Sequence, residues 1–308
     1  MRDYSLKLYS YKKLFDHFIY LELYQKLPSK ILLSGQSGIG KTTLAFHLIN
    51  YLISKNEINK YDTNENIINQ ESIAYNLVNN NSHPNFYLVA KHDAKKNIEI
   101  DQIRSMLNFL NKSSFNNDKK IVLIDGIENL NLSSSNALLK CLEEANLQNQ
   151  FILTHNINTN ILNTIKSRCL TYNLCIDYLS IPHILNDYFG ENLYDELNED
   201  FKEKNLSPKF LINHILFIKE NKLNLSSSNI KQIIQYIINN KVYKKNNFII
   251  TNFQIYLEIY FANMYSKTRD YKHYENFIKI VEESDIIKKF NLDLDSFIIK
   301  FENKYFNI

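Results

Sequence analysis

The sequence predicts a parallel α/β domain, with a five-stranded sheet covered by helices, followed by an all-helical remainder. Short apolar runs alternate with helix-spaced segments through the first 175 residues. A glycine-rich loop joins the first of these runs to a helical pattern. Past about residue 175 the strand signals fade, and only helical spacing of Ile, Leu, Phe and Tyr persists. Alternation of this kind stacks the strands side by side in parallel, with helices over both faces.

Each element has its own justification. KILLSG (30–35), NFYLVA (85–90), KIVLID (120–125), QFILTH (150–155) and CLTYNL (169–174) read as buried strands. They are short and rich in Ile, Leu, Val and aromatics, as strands buried on both faces are. Helices are expected at about 41–54, 99–111, 135–145 and 160–166. In NLSSSNALLKCLEEA a Ser or Asn side chain can cap the exposed N–H groups of the helix that follows. Residues 55–82 are polar and Asn-rich, and are expected to form a partly helical surface excursion. SIPHILNDYF, SPKFLINHILFIKENK, SSNIKQIIQYIINNKVY and the last eighty residues carry helical spacing. The natural boundary lies near 175, with a softer one near 222–228, giving segments 1–175, 176–224 and 225–308.

Composition bounds the function. At 308 residues, with 44% hydrophobic and 22% charged, the chain can bury real cores. Heavy use of Phe, Tyr, Ile and Asn with few Gly and Pro reads as coding bias. A net charge of +3 is too mild to argue nucleic-acid binding. Cys141, Cys169 and Cys175 form no CxxC pair, so neither a disulfide framework nor a zinc site is expected. There is no secretory leader pattern and no apolar run of membrane-spanning length, so the expected location is the cytoplasm.

The chain has 5 glycines, and Gly35, Gly38 and Gly40 fall within six positions. Gly35-Gln36-Ser37-Gly38-Ile39-Gly40-Lys41-Thr42 fills every position of G-x-x-x-x-G-K-[ST], with Thr43 continuing into the helix and a strand before it. The glycines let backbone N–H groups turn toward phosphate oxygens, and the helix start adds its positive end. Lys41 would reach the β- and γ-phosphates of ATP, and Thr42 would offer its hydroxyl to Mg²⁺. A turn that binds nothing would not need the whole pattern. Asp125, closing KIVLID, supplies the acid that helps hold Mg²⁺. Where many hydrolytic P-loop enzymes carry a second, water-polarising acid, this chain has Gly126. Glu128 follows two residues later and is expected to point elsewhere if the chain bends at the glycine.

The segment from IVLIDGIENL to TIKSRC resembles the AAA+ subunits of the bacterial clamp loader of DNA polymerase III, and the delta-prime branch of that family above all. NALLKCLEE (136–144) and TIKSRC (164–169) carry the likeness, supported by HPNFYLV (83–89) and IEIDQIRSMLNFL (98–110). It covers about 12–175 well and the rest only in general layout. The resemblance implies an AAA+ nucleotide-binding domain over 1–175, a helical lid over 176–224 and a helical oligomerisation collar over 225–308. It implies that Arg168 acts in trans as an arginine finger, reaching the ATP site of a neighbour in a hetero-pentamer. A guanidinium suits that task because it stays charged and spreads over phosphoryl oxygens.

Thr154, His155 and Asn156 fall at the family's first sensor position, where a polar side chain could feel the γ-phosphate. NLSPKFLINHI (205–215) resembles the lid segment bearing a second sensor, but Phe210 stands where an Arg is expected and Lys209 is the only nearby base. The four-cysteine zinc module of many relatives is missing, so no zinc is expected. The partners implied are the delta and gamma/tau subunits, the sliding clamp and, through the complex, primer-template DNA, with no membrane. The leading reading is a scaffold that binds ATP with Mg²⁺ and lends Arg168 to its neighbour. The alternatives are a gamma/tau-like motor subunit and an autonomous P-loop ATPase; a nucleotide kinase would need neither NALLKCLEE nor the SRC arginine.

Overall fold

The structure, a computed structural model, describes residues 4–305 apart from 93, 94, 96, 116, 117, 145–148, 203, 204 and 291–293. Two compact units emerge: Met1–Gly190 with Ser207–Lys209, and Glu191–Leu206 with Phe210–Ile308.

The first unit is the α/β part. Its strands are β1 (Lys30–Gly35), β2 (Phe86–Ala90), β3 (Lys120–Asp125), β4 (Asn149–Asn156) and β5 (Leu170–Asn173). They form one five-stranded sheet in the order β2-β3-β4-β1-β5, every pair parallel. β1, β3 and β4 are buried along nearly their whole length, whereas the edge strands β2 and β5 are half-covered. That gradient follows from position, since an inner strand of a parallel sheet is covered on both faces. All five expected strands are present within a residue or so of their expected ends.

The helices of this unit are α1 (Lys12–Leu23), α2 (Lys41–Ile53), α3 (Ile73–Asn79), α4 (Ile100–Asn111), α5 (Leu132–Glu144), α6 (Asn163–Lys166) and α7 (Ile181–Phe189). α5 begins three residues before its expected start, because Asn131 caps it by accepting the Ser134 N–H at 2.8 Å. Ala145, the expected last residue of that helix, lies outside the described residues, as do the chain ends 1–3 and 306–308. α1 was not expected. It starts at Tyr11, whose φ of 71° is left-handed and whose side chain makes no cap bond, so no start signal was legible. Its Phe15 and Phe18 are fully buried, and the Phe18 ring meets Tyr172 of β5 edge-on at 4.9 Å. The 55–82 excursion is partly helical, as expected, with Ser72 capping α3.

The second unit holds most of α8 (Pro208–Glu220), then α9 (Ile230–Asn239), α10 (Asn247–Thr268), α11 (Lys272–Phe290) and α12 (Leu294–Tyr305). Asn229 and Gln232 form a reciprocal capping box at the start of α9, whose Ile230, Ile233, Ile234 and Ile237 are buried. His214 lies fully buried against Phe201, with centroids 4.1 Å apart, and its Nδ1 meets the Tyr256 hydroxyl at 2.9 Å.

Candidate functional site

In this strand order β1 lies between β4 and β5, and the chain leaves β1 for the far edge of the sheet before returning. The crevice outside the carboxyl ends of strands at such a switch point is where open α/β sheets bind ligands. The loop after β1, Asp125 at the end of β3 and Asn156 at the end of β4 all fall there, with Gly35 directly opposite Asn156.

Gly35 closes β1 in a space too tight for a Cβ, which would lie 2.8 Å from the Leu174 carbonyl oxygen. Gln36 and Ser37 are exposed at the tip, Gly38 is half-buried, and Ile39 turns inward and is buried. Gly40 has a φ of 96° and is the residue before α2. Only glycine takes that left-handed turn without strain, and it aims the N–H groups of the first helical turn into the loop. The Lys41 Nζ donates to the carbonyls of Gly35 at 2.9 Å and Gln36 at 2.6 Å. Burial pushes its ammonium pKa down, while the Glu128 and Asp125 carboxylates oppose that shift. Thr42 and Thr43 lie half-buried in the first turn of α2.

Asp125 is the hub. Its Oδ1 accepts from the hydroxyl of Thr42 at 2.7 Å and from that of Thr154 at 2.6 Å. The Thr154 oxygen in turn accepts the Gly126 N–H at 2.8 Å. α2, β3 and β4 are thereby tied through one carboxylate. Gly126 has a φ of 77°, so the chain bends there as expected. Contrary to expectation, Glu128 does not point away. Residues 127–129 form one 3₁₀ turn, which carries the Glu128 carboxylate back until its Oε2 accepts the Asn156 N–H at 3.2 Å. The glycine bend and the tight turn after it together reverse the side chain's direction.

The other sensor candidates behave differently from Thr154. The His155 Nε2 donates to the Thr159 carbonyl at 3.0 Å, and its Nδ1 lies 3.0 Å from the Ser34 hydroxyl. Both ring nitrogens are thus spent on structure. The Asn156 side chain accepts the Asn158 N–H of its own turn at 3.3 Å. Residues 207–209 fold onto the loop: the Lys209 N–H approaches the Gly38 carbonyl at 3.4 Å, and a Cβ on Gly38 would lie 2.6 Å from the Ser207 hydroxyl.

Tyr11 was missed by sequence reasoning. Its hydroxyl donates to the Ile39 carbonyl at 2.9 Å, and burial raises its pKa, so it stays a protonated donor bracing the loop. A lone Tyr before a helix gives no signal in sequence.

Arg168 is not drawn into this cluster. Its Nη1 donates to the Thr164 carbonyl at 2.9 Å, and its Nη2 pairs with Glu143 near the end of α5. Among the described residues no group of three or more His, Cys, Asp or Glu is arranged to hold a metal ion. None of the described helices is long and apolar enough to cross a membrane.

The sheet order, the glycine-rich loop between β1 and α2 and the acid at the end of β3 define an α/β AAA+ domain with a helical carboxy-terminal part. A family model described as DNA polymerase III, delta subunit, matches residues 12–176. More than half of the chain is thus covered, and the protein belongs to that family. The chain is 32% identical over 139 residues to the DNA polymerase III subunit delta' of Pseudomonas aeruginosa, covering 45% of this chain and 40% of the relative. It is 30% identical over 216 residues to the DNA polymerase III subunit gamma of Buchnera aphidicola subsp. Schizaphis graminum, covering 66% and 56%. The chain therefore spans about half the length of the curated relatives it matches. Among solved structures, a DNA polymerase III gamma subunit-related protein of Thermotoga maritima superposes with a TM-score of 0.51 at 16% identity, over 92% of this chain and 96% of that one, which shows a shared fold.

Proposed function

We propose that this protein is a delta-prime-type subunit of a DNA polymerase III clamp loader, which grips ATP with Mg²⁺ at its own loop and lends Arg168 to a neighbour's site. One observation carries the reading. Lys41, Thr42 and Asp125 are drawn together at the strand ends, while Arg168 is held beside α5 instead.

The residues fit the nucleotide. The left-handed glycines open the loop toward an anion, and Lys41 rests on carbonyls it can exchange for phosphate oxygens. The Thr42 hydroxyl already donates to the Asp125 carboxylate at 2.7 Å, an all-oxygen pair suited to a hard cation. Bound ATP with Mg²⁺ would supply a polarised γ-phosphoryl group. Gly35 to Thr43 and Asp125 would hold it, with Thr154 orienting the Asp125 carboxylate and Asn156 flanking the site. Gly126 offers no side chain to polarise water, which favours a static grip over turnover. We further propose residues 176–224 as the lid and 225–308 as the collar joining the subunits. Delta, gamma/tau, the sliding clamp and primer-template DNA are the proposed partners, and the cytoplasm the proposed location.

The Glu128 carboxylate, returning to the end of β4, favours a second reading in which the chain hydrolyses ATP itself, as a motor subunit would. The test is steady-state ATP turnover by the purified chain, alone and after reconstitution with partner subunits. The leading reading expects turnover only in the reconstituted complex, lost in Arg168→Ala. Turnover by the chain alone that disappears in Glu128→Gln establishes the second.

A further inference from the structure

Arg168 is the residue that the proposed reading sends to a neighbour, yet it sits in the turn just after a short helix. α6 spans only Asn163–Lys166, with Ile165 its buried anchor. A long side chain leaving such an element has many rotamers, and fixing it costs ~2 kcal/mol of entropy unless something local holds it. Two groups do. The Thr164 carbonyl takes Nη1, one turn back, and Glu143 takes Nη2 from α5. Glu143 itself is well placed to act as a post. Its predecessors Leu138 and Leu142 on the same helix are fully buried in the core of the sheet, so the backbone beneath it is fixed.

We propose that Glu143 is a positioning residue for Arg168, holding one edge of the guanidinium so that the remaining N–H groups face outward toward an oxyanion on another molecule. This rests on the proposed trans role of Arg168. The donor arithmetic supports it. A guanidinium has five N–H donors in a fixed fork, and the two contacts engage one on each terminal nitrogen. Among the described residues no partner is seen for the other three donors, whose plane is set by the two already used. The Arg168 and Glu143 side chains are 34% and 51% exposed. An exposed pair is weakly stabilising, so this contact contributes little to folding and can act chiefly on orientation. Glu143 bears no atom toward the loop cluster in any of these contacts.

The experiment compares wild type, Glu143→Ala, Glu143→Gln and Arg168→Ala in the reconstituted complex, reading kcat and KM for ATP separately. Gln keeps the acceptor oxygen and loses the charge. The expected result is a kcat about three- to tenfold lower in Glu143→Ala, a smaller fall in Glu143→Gln, and an unchanged KM, because only orientation is lost. A second readout needs no turnover. Phenylglyoxal labelling of the isolated chain, mapped by peptide mass, should label Arg168 several-fold faster in Glu143→Ala. The rates at Arg104 and Arg269 should stay as they are, which controls for unfolding. Wild-type kcat and labelling in both Glu143 variants, beside a dead Arg168→Ala, overturns the inference and leaves the trans role of Arg168 standing. Wild-type turnover in Arg168→Ala overturns both.

Discussion

The strand-end cluster and the Arg168 cluster are both polar, and they are built on different terms. At the strand ends, Asp125 is tied at once to α2 and β4, with Thr154 nearly fully buried beside it. Thr42, Asp125, Thr154 and Gly126 each have a partner on another element, so the cluster is part of the fold's fabric. Among the described residues Arg168 has two contacts, both near the surface, and its side chain is about one third exposed. A site that must hold its own ligand is preorganised by burial and shared hydrogen bonds. The partly exposed Arg168, held by a neighbouring carboxylate, suits its proposed role in trans. Substitutions in the first cluster should therefore damage binding and stability together, and substitutions in the second should damage only joint activity.

The largest effect tests that separation most severely. Arg168→Ala should lower the turnover of the reconstituted complex by ~10³-fold, the worth of an arginine supplied in trans. The melting temperature of the isolated chain should stay put, because exposed ion pairs contribute only ~0–1 kcal/mol. A large fall in melting temperature would show that Arg168 belongs to the fabric after all. Next, Lys41→Ala should weaken ATP binding by about a hundredfold in calorimetry, the value of two charge-assisted bonds at ~1.5 kcal/mol each.

Thr154→Val comes third. It keeps the shape but removes the hydroxyl between Asp125 and the Gly126 N–H, and should cost about 1–3 kcal/mol in denaturant unfolding. A fourth lever is acid. His47 lies on α2, behind the loop, and burial holds its pKa down from the ordinary 6.5 to about 4. Between those values the unfolded chain binds the proton and the folded one does not. Stability should then fall by up to about 1.4 kcal/mol per unit as the pH drops through that window. Replacing His47 by Gln should flatten the slope.

The comparison also explains what the sequence made legible. The five strands could be read because burial on both faces leaves continuous apolar runs such as KILLSG and KIVLID. The loop could be read because Gly40 and Lys41 do jobs that few residue types can do. Three features of the site were not readable. α1 starts on a left-handed Tyr11 with no capping side chain, so neither the helix nor its hydroxyl bond to the loop had a signature. The return of Glu128 depends on the 3₁₀ turn after Gly126, which spacing alone does not reveal. The division of labour among Thr154, His155 and Asn156 depends on which strand faces which side chain: Ser34 claims His155, and Asp125 claims Thr154. Such pairings are set by sheet order, and sheet order is a long-range property.

The central claim is that this chain grips nucleotide while the chemistry is done next door, and one measurement reaches it directly. ATP binding and steady-state hydrolysis should be measured together on the purified chain, then again with partner subunits present. The account predicts saturable, Lys41-dependent binding by the chain alone without turnover, and turnover that appears only with partners and needs Arg168. Hydrolysis by the isolated chain at the rate of the assembled complex, indifferent to Arg168, would contradict it.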